Sequence, residues 1–507
     1  MISLRRFTGG VVIGWVSTFL SIAIGLFMSP FLIHHLGEAG YGVWVLVQST
    51  VSYMYFMDLG LRTTVVRFTA KAQARGDHQE VSQVVSAALW LRLWTAAGVM
   101  AIALCLSALL PHIFHIPTQY ETTARVALVL AATTLSSTLV FSVFTAVLSG
   151  IGYFDLLGLL EMVQVTLTSL GLIPILKSGH SIMAMAGWQL CIVLTINIVA
   201  AVACFRVCPE LRIHLHRPPP ELMRSLWSLG LWVLIGNGAG QLILYTDNVV
   251  VGIFVTASAV SYYAISAKMV EYVRQIAFSV LKFFMPLASS FRALDQFDRL
   301  RQLHVRGTQL VLLVTYPIVI TLVIRGDTLL CLWIGDRFSV EATRVLQILA
   351  IAAALMLANA SVNGIALALD RQKTLAIVTL AEGLANLLLS LILVKHIGVL
   401  GVAFGTMIPT IATSLFFWPR YLCKLVHMPT FVYVRDGWLR PVLAMLPFLF
   451  VSHWAEMHWQ PAKLMGFVLQ TMALLPLAVM GAFVVFHREI PKIRIIIAKR
   501  RGQAAVN

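Results

Sequence analysis

Apolar runs of about 17 to 25 residues, the length a helix needs to cross a bilayer, alternate along this chain with short clusters of charge, glycine or proline. They predict helices at 9–34, 42–66, 82–110, 124–148, 156–176, 181–206, 226–255, 258–288, 308–333, 344–369, 374–394, 399–422, 438–455 and 464–486. Ten-residue segments of strict apolar–polar alternation are missing. Of the two structures that satisfy their backbone groups in lipid, this leaves the helix and not the barrel. The fold class is therefore an all-α polytopic membrane protein of about 14 transmembrane helices.

The pattern repeats. Leu109 to Ala131 lies against Leu329 to Ala350 at an offset of about 220 residues, a spacing that marks a duplicated unit. The same offset matches Arg125 with Arg344, Tyr41 with Tyr262 and Glu161 with Glu382. The chain divides on this reading into a six-helix bundle over 1–210, a second over 211–425, two additional helices within 426–490 and a basic tail over 491–507. Pro218, Pro219 and Pro220 give the connector an extended, semi-rigid hinge. Two repeats with even helix counts share one orientation, so their axis runs along the membrane normal.

Composition agrees with the pattern: 59% of the 507 residues are hydrophobic and 11% charged, against roughly 25% charged in soluble domains. The net charge of +16 invites a nucleic-acid reading, but its distribution dismisses it. Arg5, Arg6, Arg67, Lys71, Arg75, Arg206, Arg212, Arg217, Arg224, Arg292, Arg299, Arg301, Arg306, Arg371, Lys373, Arg420, Lys424, Arg435, Arg440 and the tail from Arg488 to Arg501 fall in every second loop. The other loops keep Lys177, Arg325, Arg337, Lys395 and Lys463. This asymmetry places both termini in the cytoplasm. Val11 to Ile33 is too long for the core of a cleaved leader and reads as the first span.

Ionisable side chains inside spans cost roughly 2.5 to 3.5 kcal/mol each and persist mostly where they face protein or water. In the second span Trp44, Gln48, Tyr55, Asp58 and Arg62 share one face at 100° per residue. The eighth span presents Lys268, Glu271, Gln275 and Lys282, flanked by Arg274, with Lys268 and Glu271 spaced to form an ion pair. The seventh carries Asn237, Gln241, Tyr245 and Asn248, with Asp247 beside them. These stripes are read as lining a hydrated cavity. Arg92 and Arg274 are the preferred anion contacts, because guanidinium grips phosphate oxygens in pairs. Lys268, Arg62, Gln48, Trp44, Asn237, Gln241 and Tyr245 complete the binding set. Asp58, Asp247, Glu271, Glu161 and Glu382 are the ion-coupling candidates. A blander reading stands beside this one: Arg62 and Lys282 snorkel toward the cytoplasm, and Lys268 with Glu271 is a packing pair.

No catalytic constellation, metal-ligand spacing or cofactor motif is evident. The pairs His112/His115 and His214/His216 lack Cys or carboxylate neighbours, the six cysteines suggest no disulfide framework, and no Walker A sequence occurs. The outer loops are too short for a glycan polymerase or ligase, which leaves an enzyme the least favoured class.

Phe31 to Trp44 (FLIHHLGEAGYGVW), Tyr55 to Leu61 (YFMDLGL), Arg67 to Ala70 (RFTA), Asp247 to Tyr263 (DNVVVGIFVTASAVSYY) and Leu346 to Thr374 resemble the oligosaccharide-lipid flippases. This is the polysaccharide transporter family of the MOP superfamily, related to lipid II flippases and MATE exporters. The resemblance implies a bacterial cytoplasmic-membrane protein that moves undecaprenyl-diphosphate-linked oligosaccharide outward by alternating access, for O-antigen, exopolysaccharide or capsule. The implied partners are that lipid, the surrounding membrane lipids, and polysaccharide polymerase and glycosyltransferases, with no nucleic acid. Lipid II and, through a MATE-like antiporter, cationic drugs are the alternative substrates.

Overall fold

The protein is described from a computed structural model that covers 4–58, 60–75, 78–179, 181–214, 238–281 and 284–487. Helices dominate: α1 (Leu4–Tyr53), α2 (Leu61–Arg75), α3 (His78–Ile113), α4 (Thr118–Ile151), α5 (Phe154–Lys177), α6 (Ile182–Val207), α7 (238–254), α8 (Ala257–Leu281), α9 (Phe284–Ala293) and α10 (Phe297–Trp333). There follow α11 (Asp336–Leu357), α12 (Ser361–Ala368), α13 (Gln372–Ile397), α14 (Val399–Ala412), α15 (Trp418–Leu425), α16 (Thr430–Tyr433), α17 (Arg440–Ala444), α18 (Leu446–His458) and α19 (Leu464–Phe486).

Among the described residues, 11 helices are long and apolar enough to cross a membrane, and the chain is a multi-pass membrane protein. Three features reconcile this number with the runs in the sequence. The first two expected spans are one kinked helix, the seventh enters the described region only at residue 238, and the thirteenth is broken into short pieces. The kink in α1 is at Gly37, with φ 70° and ψ 169°, a backbone conformation that a side chain disfavours and glycine permits.

The chain forms two compact units. One comprises Met1–Ile265 with Gln372–Gly405, the other Ser266–Arg371 with Thr406–Asn507. In the first, α4 is the hub and packs on α1, α2, α3, α5 and α6. Its residues Val143, Val147 and Leu148 meet Val65 and Ala72 of α2, Val85 and Ala88 of α3, and Ala201 and Cys204 of α6. Small residues at these crossings suit a bilayer, where close van der Waals packing has to replace the hydrophobic drive. Polar pairs join α1 to α7: the Tyr53 hydroxyl donates to Thr246 Oγ1 at 2.7 Å, and Asn248 Nδ2 donates to Ser49 Oγ at 3.1 Å.

In the second unit α10 is the hub, in contact with α9, α11, α12, α17, α18 and α19. Two π-helical turns, Thr413–Phe417 and Val434–Leu439, disturb the backbone ladder here. Buried amides meet carbonyls in both: Asn359 Nδ2 donates to Ser414 O at 3.0 Å and Gln309 Nε2 to Asp436 O at 2.8 Å. The buried His304 ring stacks on Tyr433 with centroids 4.0 Å apart and bonds Ser361 Oγ at 2.9 Å, tying α10 to α12 and α16.

Candidate functional site

Polar side chains converge where the second span breaks. The helix stops at Tyr53, tightens into a 3₁₀ turn over Met54–Asp58, and restarts at Leu61 after Gly60, whose φ of 64° is the left-handed conformation that glycine permits. Helix ends leave carbonyls without partners, and Arg92 of α3 fills this need. Its Nη1 donates to Asp58 O at 3.0 Å and its Nη2 bonds and pairs with the Asp58 carboxylate. The Arg92 side chain is 0% exposed and that of Asp58 24%. Thr63 and Thr64 hydroxyls donate to Gly60 O and secure the restart.

This geometry corrects two readings of the sequence. Trp44, Gln48, Tyr55, Asp58 and Arg62 do not share one continuous helix face, because α1 ends at Tyr53, Tyr55 and Asp58 stand in the 3₁₀ turn and Arg62 in α2. Arg92 is 0% exposed and spends its two terminal nitrogens on Asp58, which holds the turn in this conformation and leaves only its buried Nε without a partner. What tertiary packing gathers instead is a small cluster. Tyr55 lies within electrostatic reach of Asp58, Arg62, Arg92 and Tyr245, the last brought in by α7. Asp58 and Arg92 cancel each other. Arg62 is exposed and makes no hydrogen bond or ion pair among the described residues, so the cluster carries one unspent positive charge beside the exposed Tyr55 and the half-buried Tyr245. A guanidinium with neighbouring phenols suits the oxygens of a phosphate.

Farther up α1, Gln48 Nε2 donates to Gln189 Oε1 of α6 at 3.0 Å, and Trp44 packs one turn away beside Met28, Leu172 and Met185. In α7, Gln241 is half-buried with its Oε1 unpartnered. Asp247 is buried and accepts the Tyr263 hydroxyl, which commits it to joining α7 to α8. Asn237 lies outside the described residues, as does Lys282.

The second unit gathers the eighth-span set differently from the expected Lys268–Glu271 pair. Glu271 pairs with Arg274 at 3.3 Å, and exposed Lys268 stands 5.4 Å from the Tyr272 ring centroid. On α8 an i,i+3 choice existed in both directions, and the rotamers favour the guanidinium. Glu161 on α5 is exposed and Glu382 on α13 half-buried.

Sequence reasoning also misplaced Arg325. Counted among the outer-loop charges, it is 1% exposed inside α10, where the backbone bends at φ −113° and ψ 15°. Its Nε donates to Glu456 Oε2 at 3.1 Å, its Nη2 bonds Gln470 Oε1 at 2.5 Å, and its guanidinium lies 4.6 Å from the Phe467 ring centroid. Thr328 donates to the other Glu456 oxygen at 2.5 Å. The signal was available: Glu456 is the one carboxylate in α18 and Gln470 the one amide in α19.

The family model described as polysaccharide biosynthesis protein matches residues 35–343. The chain is 24% identical over 443 residues to an uncharacterized membrane protein, EpsK, of Bacillus subtilis strain 168, covering 84% of each. It is 22% identical to a putative O-antigen transporter of Shigella flexneri, covering 76% of this chain and 90% of that one. Among solved structures, it is similar to the lipid II flippase MurJ in an inward closed conformation, with a TM-score of 0.72, 14% identity and coverage of 94% and 100%. An inward-facing multidrug resistance MATE transporter of the MOP superfamily gives a TM-score of 0.64 at 12% identity, covering 83% and 99%.

Proposed function

The chain belongs to the polysaccharide biosynthesis protein family, and from that premise we propose that it flips an undecaprenyl-diphosphate-linked oligosaccharide across the bacterial cytoplasmic membrane by alternating access. The observation that carries this reading is the unspent charge of Arg62 beside Tyr55 and Tyr245, next to a second span broken and braced by Arg92. A diphosphate is an anion that a bare bilayer excludes, and an exposed guanidinium flanked by hydroxyls answers its charge and its acceptors together. An unspent positive charge suits this cargo better than a cationic drug.

Both termini face the cytoplasm, as the distribution of Lys and Arg indicates, and the six-helix bundles over 1–210 and 211–425 carry the alternation of access, with the helices of 426–490 appended. The proton or ion that drives the cycle is carried by a carboxylate, and exposed Glu161 remains better placed for it than Asp58 and Asp247, which are engaged. Glycosyltransferases supply the lipid-linked sugar and a polymerase consumes it. The protein itself makes and breaks no bond.

The test is export of surface glycan in a strain that depends on this protein. Arg62→Ala should stop export while the protein remains inserted at parental abundance. Normal glycan from that variant would remove the site.

A further inference from the structure

Gln48 and Gln189 are the one pair of amides from different helices, among the described residues, whose side chains bond each other. An amide has two donor hydrogens and one acceptor oxygen with two lone pairs. One mutual bond therefore leaves spare donors and spare acceptor capacity on the pair, whichever way each amide is turned. The two side chains are half-buried, and neither has a polar atom that is both sealed from solvent and unpartnered, so the spare groups face accessible space. Their positions are rigid. Trp188, the neighbour of Gln189, lies over Gly171 so closely that a Cβ there would be 2.0 Å from the ring, and its Nε1 donates to Leu167 O and Thr168 O at 3.2 Å. α6 thus cannot rotate on α5 without losing both contacts.

The pair stands on the same stretch of chain as the charged cluster. Gln48 is in the last turns of α1, one turn after Trp44, and Tyr55 is seven residues on, in the 3₁₀ turn that leads to Arg62 at the start of α2. The end with Arg62, Tyr55 and Tyr245 is cationic and rich in hydroxyls. The other end is uncharged, with two amides and an indole.

Resting on the translocation reading above, we propose that Gln189 and Gln48, with Trp44, form a carbohydrate subsite that reads the first sugars of the lipid-linked substrate while the Arg62 end holds its phosphates. Fixed amide donors and acceptors match neighbouring hydroxyl or acetamido groups, and the indole offers an apolar face to the sugar ring. Gln189 is then a specificity-determining residue that contributes nothing to phosphate binding.

The experiment uses the full-length protein in proteoliposomes and two probes: a prenyl diphosphate carrying one N-acetylhexosamine, and the same prenyl diphosphate without sugar. The parent should bind the glycosylated lipid more tightly. Gln189→Leu should lose that preference at least tenfold and bind the bare lipid as the parent does. Gln189→Glu, which still accepts from Gln48 but has no NH₂ to donate, should lose an intermediate part, and it serves where the leucine variant does not fold. Arg62→Ala should weaken both lipids equally. The subsite is overturned if the variants at Gln189 keep the parental preference or weaken both lipids by the same factor. A parent that binds neither lipid overturns the translocation reading itself.

Discussion

Among the described residues two arginines are buried, Arg92 in the first unit and Arg325 in the second, and each is paired with a carboxylate that keeps some exposure, 24% for Asp58 and 20% for Glu456. Their surroundings separate them. Arg325 is enclosed by Gln470, Thr328 and Phe467, so its network ties α10 to α18 and α19 and ends there. Arg92 braces a helix break whose rim carries Tyr55 and the exposed Arg62. A buried guanidinium in a membrane protein is therefore no sign of a binding site by itself. The charge left over next to it is the informative quantity.

The sharpest test of this contrast is at Arg325. Arg325→Ala leaves Glu456 without its cation and should cost about 3–5 kcal/mol, as broken buried pairs do. Thermal unfolding of the purified protein should show the loss, and adding Glu456→Ala should restore part of it. An unchanged midpoint in the single variant would mean that the network does not clamp the C-terminal helices.

At the other arginine, Asp58→Asn should cost about 1–3 kcal/mol through an unbalanced buried charge. In a double-mutant cycle with Arg92→Ala the two should couple by about 0.5–3 kcal/mol. Here, unlike at Arg325, the double variant should regain stability without regaining transport. Recovered transport would reduce Arg92 and Asp58 to the same purely architectural role.

A smaller energy with a larger functional consequence is expected at Arg62. Arg62→Ala should unfold within about 0.5 kcal/mol of the parent yet lower lipid binding at least tenfold, roughly 1.4 kcal/mol. Equal losses in stability and binding would break the distinction drawn above. The smallest effect belongs to Tyr55→Phe, the removal of one exposed hydroxyl, worth about 1 kcal/mol in binding of the bare diphosphate lipid. No change there would take Tyr55 out of the contact set while leaving Arg62 in it.

Much of this was legible beforehand. Runs of apolar residues identified the helices, because a bilayer accepts little else, and the rare polar residues within them, Gln48, Asp58, Arg62, Arg92 and Tyr245, are the ones from which the proposed site is drawn. Ranking those residues was another matter. Periodicity treats 42–66 as one helix and so puts Asp58 on the face of Gln48, whereas α1 ends at Tyr53 and Asp58 closes a 3₁₀ turn. Arg92 looked like the best anion contact because it is deep, and depth is the reason it needs a partner of its own. Gln189 went unremarked because a single glutamine in α6 gains meaning only from Gln48 across the helix interface.

From the amino-acid order alone came the all-helical membrane architecture, since hydropathy acts on each segment independently, while the class of cargo came with the family resemblance. Which charges are already balanced, which helix is interrupted and which amides meet depended on contacts between residues far apart in the chain. Arg92 and Asp58 are separated by 34 positions and Gln48 and Gln189 by 141, distances that only packing of one helix on another closes.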